Sequence, residues 1–418
     1  MFNKAGRKTI YLDHASLTPV DEGVLRVMYD YDKTHVGNPS GIHADSVMAS
    51  NELEKARTTV AGFLSCRKEE VVFTSGGTEG DNLAIWGAVL AYKGTGLPHI
   101  VTTNIEHSAV RELCLYLENP PAGGKKAEVT FVAVGADGVV DPKEIKKALK
   151  PNTVLVSVQY ANNEVGTIQP IREIAKVVRQ YRKENADSVV LFHTDAAQAM
   201  QYCNTNVQQI GVDMLSFNGS KMYGPRGSGV LFKKHGIPFA PVFYGGHQEH
   251  TIRPGTVDVG RAVGLAKAFE TAVNIADTET IRLTQLRDYF IDELYKIIPD
   301  MVLHGSKTQR LPNNINVSIP GYNSEAIVVY LDAKGIRVSE KSACQSDTGT
   351  GSYVLEALEY AKMSSPATKN KDSENIPVYM PHSVGSVRFT LGRSNTKSEI
   401  DYTVSTLRDI LKLLKSEK

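Results

Sequence analysis

TVLVSVQYANNEVGTIQPIREIAKVVRQYRKENADSVVLFHTDAAQ, residues 153–198, decides the fold. The runs TVLVSV and SVVLF are apolar nearly throughout, the pattern of strands covered on both faces. Between them, IREIAKVVRQYRKEN carries apolar residues at helical spacing. A buried strand, a helix and a second buried strand form one βαβ unit of a parallel sheet.

The alternation extends upstream. Residues 46–65 are helical, with Val47, Leu53, Ala56, Val60 and Leu64 near one face. EEVVFTSGG then reads as a strand into a glycine turn, and TEGDNLAIWGAVLAY as the following helix. HIVTTN and VTFVAV are strands, followed by the helices HSAVRELCLYLE and DPKEIKKALK, the latter with proline in its first turn. The pattern predicts a doubly wound α/β domain with a mainly parallel sheet. Beyond residue 260 the character changes. Residues 261–298 are helical, NINVSIP (314–320) and VRFTLG (387–392) are short strands, and helices are expected at 324–334 and 398–415. The expected division is a large domain over 16–260 and a smaller α/β C-terminal domain over 261–418, joined by the N-terminal segment 1–15. Residues 362–382, rich in Ser, Pro, Lys and Asn, read as a mobile surface loop.

The 418 residues are enough for two domains, and Lys plus Arg (47) nearly equals Asp plus Glu (46). A net charge of +1 points to neither nucleic acid nor a membrane surface as partner. Four scattered cysteines, Cys66, Cys114, Cys203 and Cys344, form no CxxC pair, so no metal site is expected. They suit a reduced, cytoplasmic setting. The N-terminus lacks the apolar run of a signal peptide, and no segment reaches the length of a membrane span.

The chemistry is concentrated in DMLSFNGSKMYGPRGSGVLF, residues 213–232. A strand runs into a polar turn, Lys221 and a Gly/Pro-rich loop, a placement that suits an imine between a lysine and an aldehyde. Alone, Lys221 reads equally as a solvated surface charge. Three other strand ends give it company. In TSGGTEGDNLAIW (74–86), Gly76 and Gly77 allow close backbone approach, and Thr78 with the first helix amides can bind a phosphate. The plain alternative is a capped turn. HTDAAQ (193–198) places Asp195 where a carboxylate would meet a pyridine nitrogen, or would simply cap a helix. IEHSAV (105–110) places His107 where it could stack on a ring, or stand as an ordinary polar residue. Strand ends on one side of an open α/β sheet form its ligand crevice.

Taken together, these motifs resemble the cysteine desulfurases of the IscS/NifS type, within the fold-type I (class V aminotransferase-like) pyridoxal-phosphate enzymes. YLDHASLTPV (11–20), GNPSGIH (37–43), TSGGTEGDNLAI, NNEVGTIQPI (162–171), HTDAAQ, GSKMYGPRGSG, GGHQE with RPGT (245–256), KSACQS (341–346) and RFTLGR (388–393) follow the family's order. The resemblance implies a large domain with a mainly parallel seven-stranded sheet, pyridoxal 5'-phosphate as cofactor, L-cysteine as substrate, and a homodimer. It implies that Lys221 holds the cofactor, that His107 stacks over its ring, that Asp195 pairs with the ring nitrogen and that Gln198 reaches the ring hydroxyl. Asn163 would lie beside the ring and help hold substrate. Gly77 and Thr78 would bind phosphate, with Thr256 supplied by the partner subunit, and Arg388 would pair bidentately with the substrate carboxylate. Cys344 would accept sulfur as a persulfide, for an acceptor protein serving iron–sulfur cluster assembly or tRNA thiolation. Its segment, 338–355, is Ser-, Thr- and Gly-rich, and nearby Lys341 favours the thiolate.

The chain departs from the family in several places. Asn218-Gly219-Ser220-Lys221 replaces the pattern Ser-x-His-Lys, leaving Asn218 and Ser220 to donate to the phosphate without a histidine cation. His14 replaces an asparagine, and Ser16-Leu17 replaces Ala-Thr, beside the expected substrate position. Pro254 replaces a serine. These changes keep two alternatives in view: a selenocysteine lyase or other aminotransferase-like enzyme, and a non-catalytic scaffold.

Overall fold

The computed structural model describes residues 9–185, 188–340, 351–364 and 386–416. Cys344, Lys341 and most of the 362–382 segment lie outside the described residues.

A seven-stranded sheet forms the centre. Its strands are β2 (Val71–Thr74), β3 (His99–Thr103), β4 (Glu128–Val132), β5 (Thr153–Ser157), β6 (Leu191–Asp195), β7 (Met214–Asn218) and β8 (Gly229–Lys233), in the order β2-β8-β7-β6-β5-β3-β4. From β4 to β7 every pairing is parallel. β8 runs antiparallel to both of its neighbours. A helical crossover separates each parallel pair, whereas β7 and β8 are joined by the Gly/Pro-rich residues 219–228, too short a connection for a crossover, so the chain reverses.

The sheet is sandwiched by α2 (Ala44–Leu64), α3 (Gly77–Leu90), α4 (Ser108–Glu118), α5 (Pro142–Ala148) and α6 (Ile171–Glu184). α6 illustrates the local logic: Ile171, Ile174, Ala175 and Val178 are buried at helical spacing while its charged residues point outward. α5 begins as its sequence requires, with Asp141 capping the Lys143 amide and Pro142 in the first turn.

The C-terminal part has its own core. Strands β9 (Val302–Leu303), β10 (Asn314–Ser318) and β12 (Val387–Thr390) form an antiparallel sheet covered by α9 (Ser324–Ala333) and α11 (Lys397–Ser416). One helix, α8 (Val259–Ile297), joins the two cores. Its 39 residues make a rod of about 58 Å. Val259 through Ala272 pack into the large core, and Leu283, Phe290 and Leu294 into the small one. The change of core therefore falls within this helix, beyond residue 272.

The N-terminal segment makes a second link. β1 (Ile10–Tyr11) pairs in parallel with β11 (Ile336–Arg337), and Leu12 is buried in the small core. The chain then crosses to the large sheet, where the Thr18 amide donates to the Ser220 carbonyl at 3.0 Å. Residues 13–17 are thereby suspended between the two cores, beside Lys221.

Candidate active site

Four strands of the large sheet end at one place. Thr74 of β2 leads to the glycine turn and α3, β3 leads to His107, β6 ends at Asp195, and β7 leads through one turn of 3-10 helix to Lys221. Lys221 Nζ donates to the Ser16 carbonyl, and its own carbonyl accepts from Gln201 Nε2. Gln198 Nε2 donates to the Ala15 carbonyl at 2.9 Å. The lysine turn and the N-terminal segment are thus stitched together.

Asp195 lies over a buried polar network. One of its oxygens accepts from the Ala197 amide at 2.9 Å, which caps a turn; no helix begins here, so the helix-capping alternative is not realised. Beneath it, Ser216 donates to Asp81, and His193 bridges Ser157 (2.9 Å) and Ser216 (3.1 Å). Burial pushes His193 down to about 3, so its imidazole is neutral. Burial raises both Asp81 and Asp195, and Asp81 is raised further by the charge of Asp195. Asp195 alone is drawn back by His107 and Lys221. Asp195 is therefore the less strongly raised acid of the pair, and it is the member beside the lysine. Glu106 is a third buried acid, pushed up to about 8 by burial and by Asp195, and held by Thr103 (2.5 Å) and the Gln159 amide (2.9 Å).

His107 caps α4, its Nδ1 accepting from the Ala109 amide at 3.1 Å, which places the neutral ring's proton on Nε2. Ligating atoms of Asp81, His107 and Asp195 lie within 4.8 Å of one another. In this setting the cluster is the floor of the pocket into which Lys221 points.

The anion end lies at the start of α3. Gly76 is its N-cap and supplies no side chain to the helix amides. Asn218 faces this end, its Nδ2 3.5 Å from where a Cβ on Gly77 would sit. Asn218 Oδ1 is buried without a hydrogen-bond partner. Thr78 begins the helix beside Gly77. The carbonyl of Ser220 accepts from Thr18, Oγ1 as well as the amide. Thr256 is exposed and lines a cavity of about 230 Å3 with Ser75, Gly229 and Arg253.

Arg388 projects from β12 to the same pocket and is 2% exposed. Its Nη1 donates to the Asn163 carbonyl (3.0 Å), and its Nη2 to Asp13 Oδ1 (2.9 Å) and Ser16 Oγ (2.7 Å). Its Nε is buried without a partner. Asn163 meets Arg388 through its backbone. Its neighbour Asn162 is wholly buried and holds the turn, accepting from Glu164 and Val165 and donating to Ile105.

The structure thus brings Lys221, Asp195, His107, Gln198, Asn163, Asn218, Gly77 and Arg388 around one pocket. A pyridoxal phosphate fits this set: a buried carboxylate, a lysine, and a helix start without a side-chain cap that the Asn218 Nδ2 donor faces. The matching family model is aminotransferase class-V, over residues 10–403. The chain belongs to the aminotransferase class-V family. Within this family it is 40% identical over 410 residues to "Cysteine desulfurase IscS" of Dictyoglomus turgidum, covering 98% of this chain and 96% of that one. It is 37% identical to "Cysteine desulfurase IscS" of Methanosarcina thermophila, covering 98% and 93%. Among solved structures, a "NIFS-LIKE PROTEIN" superposes with TM-score 0.84 at 30% identity, covering 97% of this chain and 100% of that one. "SspA in complex with cysteine" superposes with TM-score 0.73 at 29% identity, covering 92% and 99%.

Sequence reading gave no role to Asp13, Ser16, Asp81 or Glu106. The signal for Asp81 was an acid inside an apolar helix. For Asp13 and Ser16, 375 and 372 residues distant from Arg388, no spacing could have served.

No helix among the described residues is long and apolar enough to cross a membrane.

Proposed function

We propose that this chain is a pyridoxal-phosphate-dependent cysteine desulfurase, converting L-cysteine to L-alanine and a persulfide on Cys344. The observation that carries the reading is the convergence of Lys221, His107 and a buried Asp195 in a chain related over its full length to cysteine desulfurases.

When bound, the cofactor supplies an aldehyde for the amino group and a ring that withdraws electrons from the substrate. Lys221 would hold the cofactor through its side-chain amine and could carry a proton for the substrate. Asp195 keeps a negative charge against the ring nitrogen. His107 covers the ring and, with its Nε2 proton, can exchange protons there. Gln198 approaches the ring hydroxyl. Gly77, Thr78, Asn218 and Ser220 receive the phosphate with amide and hydroxyl donors. Arg388 and Asn163 orient the substrate, the guanidinium taking its carboxylate. Cys344, as thiolate, takes the substrate's sulfur: an S–S bond forms, the Cβ–S bond breaks, and the carbon left behind takes a proton and departs as alanine.

Thr256 fits a phosphate ligand given to the partner in a homodimer, since it is exposed on its own chain. We also propose a cytoplasmic enzyme of two domains, with the boundary within α8 beyond residue 272 and not at 260–261 as expected from sequence, because Val259 through Ala272 pack into the large core. It would serve an acceptor in iron–sulfur assembly, as the IscS relatives' name suggests, or in tRNA thiolation. The test is alanine production from cysteine, with mass spectrometry of the peptide bearing Cys344. Parent protein is expected to gain one sulfur there. If Cys344→Ala delivers sulfur to an acceptor as fast as parent does, the nucleophile assignment is wrong.

A further inference from the structure

Ser16 is half-buried, at the one point where the N-terminal segment touches both ends of a bound amino acid's expected position. Its carbonyl accepts from Lys221 Nζ, and its hydroxyl accepts from Arg388 Nη2 at 2.7 Å. The hydroxyl also donates to Asp13 Oδ1 at 2.9 Å, and the same carboxylate oxygen takes the other Nη2 proton of Arg388 at 2.9 Å. Asp13 and Ser16 lie on the more open side of the guanidinium, while the guanidinium itself is buried and holds the Asn163 carbonyl on its other arm.

We propose that the Ser16 hydroxyl is a ligand of the substrate's α-carboxylate, and that the Asp13 carboxylate keeps its place in the empty protein. A carboxylate that reaches Nη2 displaces one of its two partners, since both Nη2 protons are engaged, and the like-charged Asp13 Oδ1 is the one it repels. It then lies within reach of a hydroxyl 2.7 Å from the same nitrogen. A serine hydroxyl rotates, so the proton now given to Asp13 turns to the incoming oxygen while the lone pair stays on Arg388. The exchange keeps a carboxylate on Arg388 in both states, so no buried cation is left unpaired. The backbone and side chain of Ser16 thus border the amine and carboxylate positions of one α-amino acid. This selects α-amino acids over amines that lack the carboxylate.

The inference rests on the desulfurase reading, which gives the substrate its α-carboxylate. Its test is calorimetric titration of the cofactor-loaded enzyme with L-alanine and with L-alaninamide, in parent and Ser16→Ala. The substitution keeps the backbone carbonyl and hence the Lys221 contact. The alanine Kd is expected to rise about tenfold, ~1.4 kcal/mol, with the alaninamide Kd unchanged. Equal loss for both ligands would mean a structural role only, and unchanged or tighter alanine binding would mean no role; either result overturns the proposal. A parent enzyme that forms no alanine from cysteine, yet loses alanine selectively in Ser16→Ala, would refute the desulfurase reading and leave this inference standing.

Discussion

Replacing Asn218 by alanine should move cofactor affinity and cofactor-free stability differently. In the folded chain Asn218 Oδ1 is buried with no partner, and Nδ2 faces the start of α3 at Gly77. A buried unsatisfied acceptor costs ~1–3 kcal/mol. Deleting the amide relieves that cost but forfeits packing worth ~1 kcal/mol. The cofactor-free protein should therefore keep its stability or gain up to ~2 kcal/mol. With phosphate bound, a donor to a charged oxygen is lost, worth ~1.5–3 kcal/mol. Cofactor affinity should fall roughly ten- to a hundredfold. The assay is titration of cofactor-free protein with pyridoxal phosphate, read by the visible band that Lys221 generates, alongside urea unfolding without cofactor. Pyridoxal, which has no phosphate, is the control and should bind parent and variant alike. If pyridoxal phosphate binds both proteins equally, or pyridoxal loses as much as its phosphate ester, Asn218 does not serve the anion site.

Two further outcomes concern the scaffold around the pocket. Glu249 is buried in a left-handed turn whose three residues, Glu249, His250 and Thr251, all have positive φ. Its carboxylate accepts from Arg57 at 2.6 and 2.8 Å and from the Phe73 amide at 2.6 Å. Glu249→Ala removes the bidentate partner of the buried Arg57 and leaves it Glu54 and the Val71 carbonyl, and should cost ~1.5–3 kcal/mol in urea unfolding. A loss below ~1 kcal/mol would show that the pair contributes no more than an exposed one. Glu106 keeps its proton in the folded chain up to about pH 8, against a usual value of 4.5. At this site the folded state therefore binds more protons than the unfolded one across the window, so the Glu106 contribution to stability is full below 4.5 and is lost as pH rises to about 8. Unfolding free energies measured across this range should fall less steeply in Glu106→Gln; parallel curves for parent and variant would remove Glu106 as the cause.

Much of this protein was legible along the chain. Apolar runs of strand length alternating with helical periodicity fix a parallel sheet, and parallel crossovers bring the strand ends to one edge. Lys221, Asp195 and His107 follow their strands closely, so the sequence by itself determined that they meet. The reversal of β8 was hidden because VLF looks the same in either direction, and only the short turn after Lys221 decides it. The run of α8 through two cores was equally hidden, since an apolar stripe does not say what it packs against. Tertiary structure alone decided the two features on which substrate recognition turns. Asp13 and Ser16 reach Arg388 because β1 pairs with β11 in the small core and the chain then crosses to the Lys221 turn. Asp195 is raised less than Asp81 because Lys221 and His107 lie beside it alone in a buried acid pair. Both depend on distances through space and on exclusion of water, and periodicity along a chain carries neither.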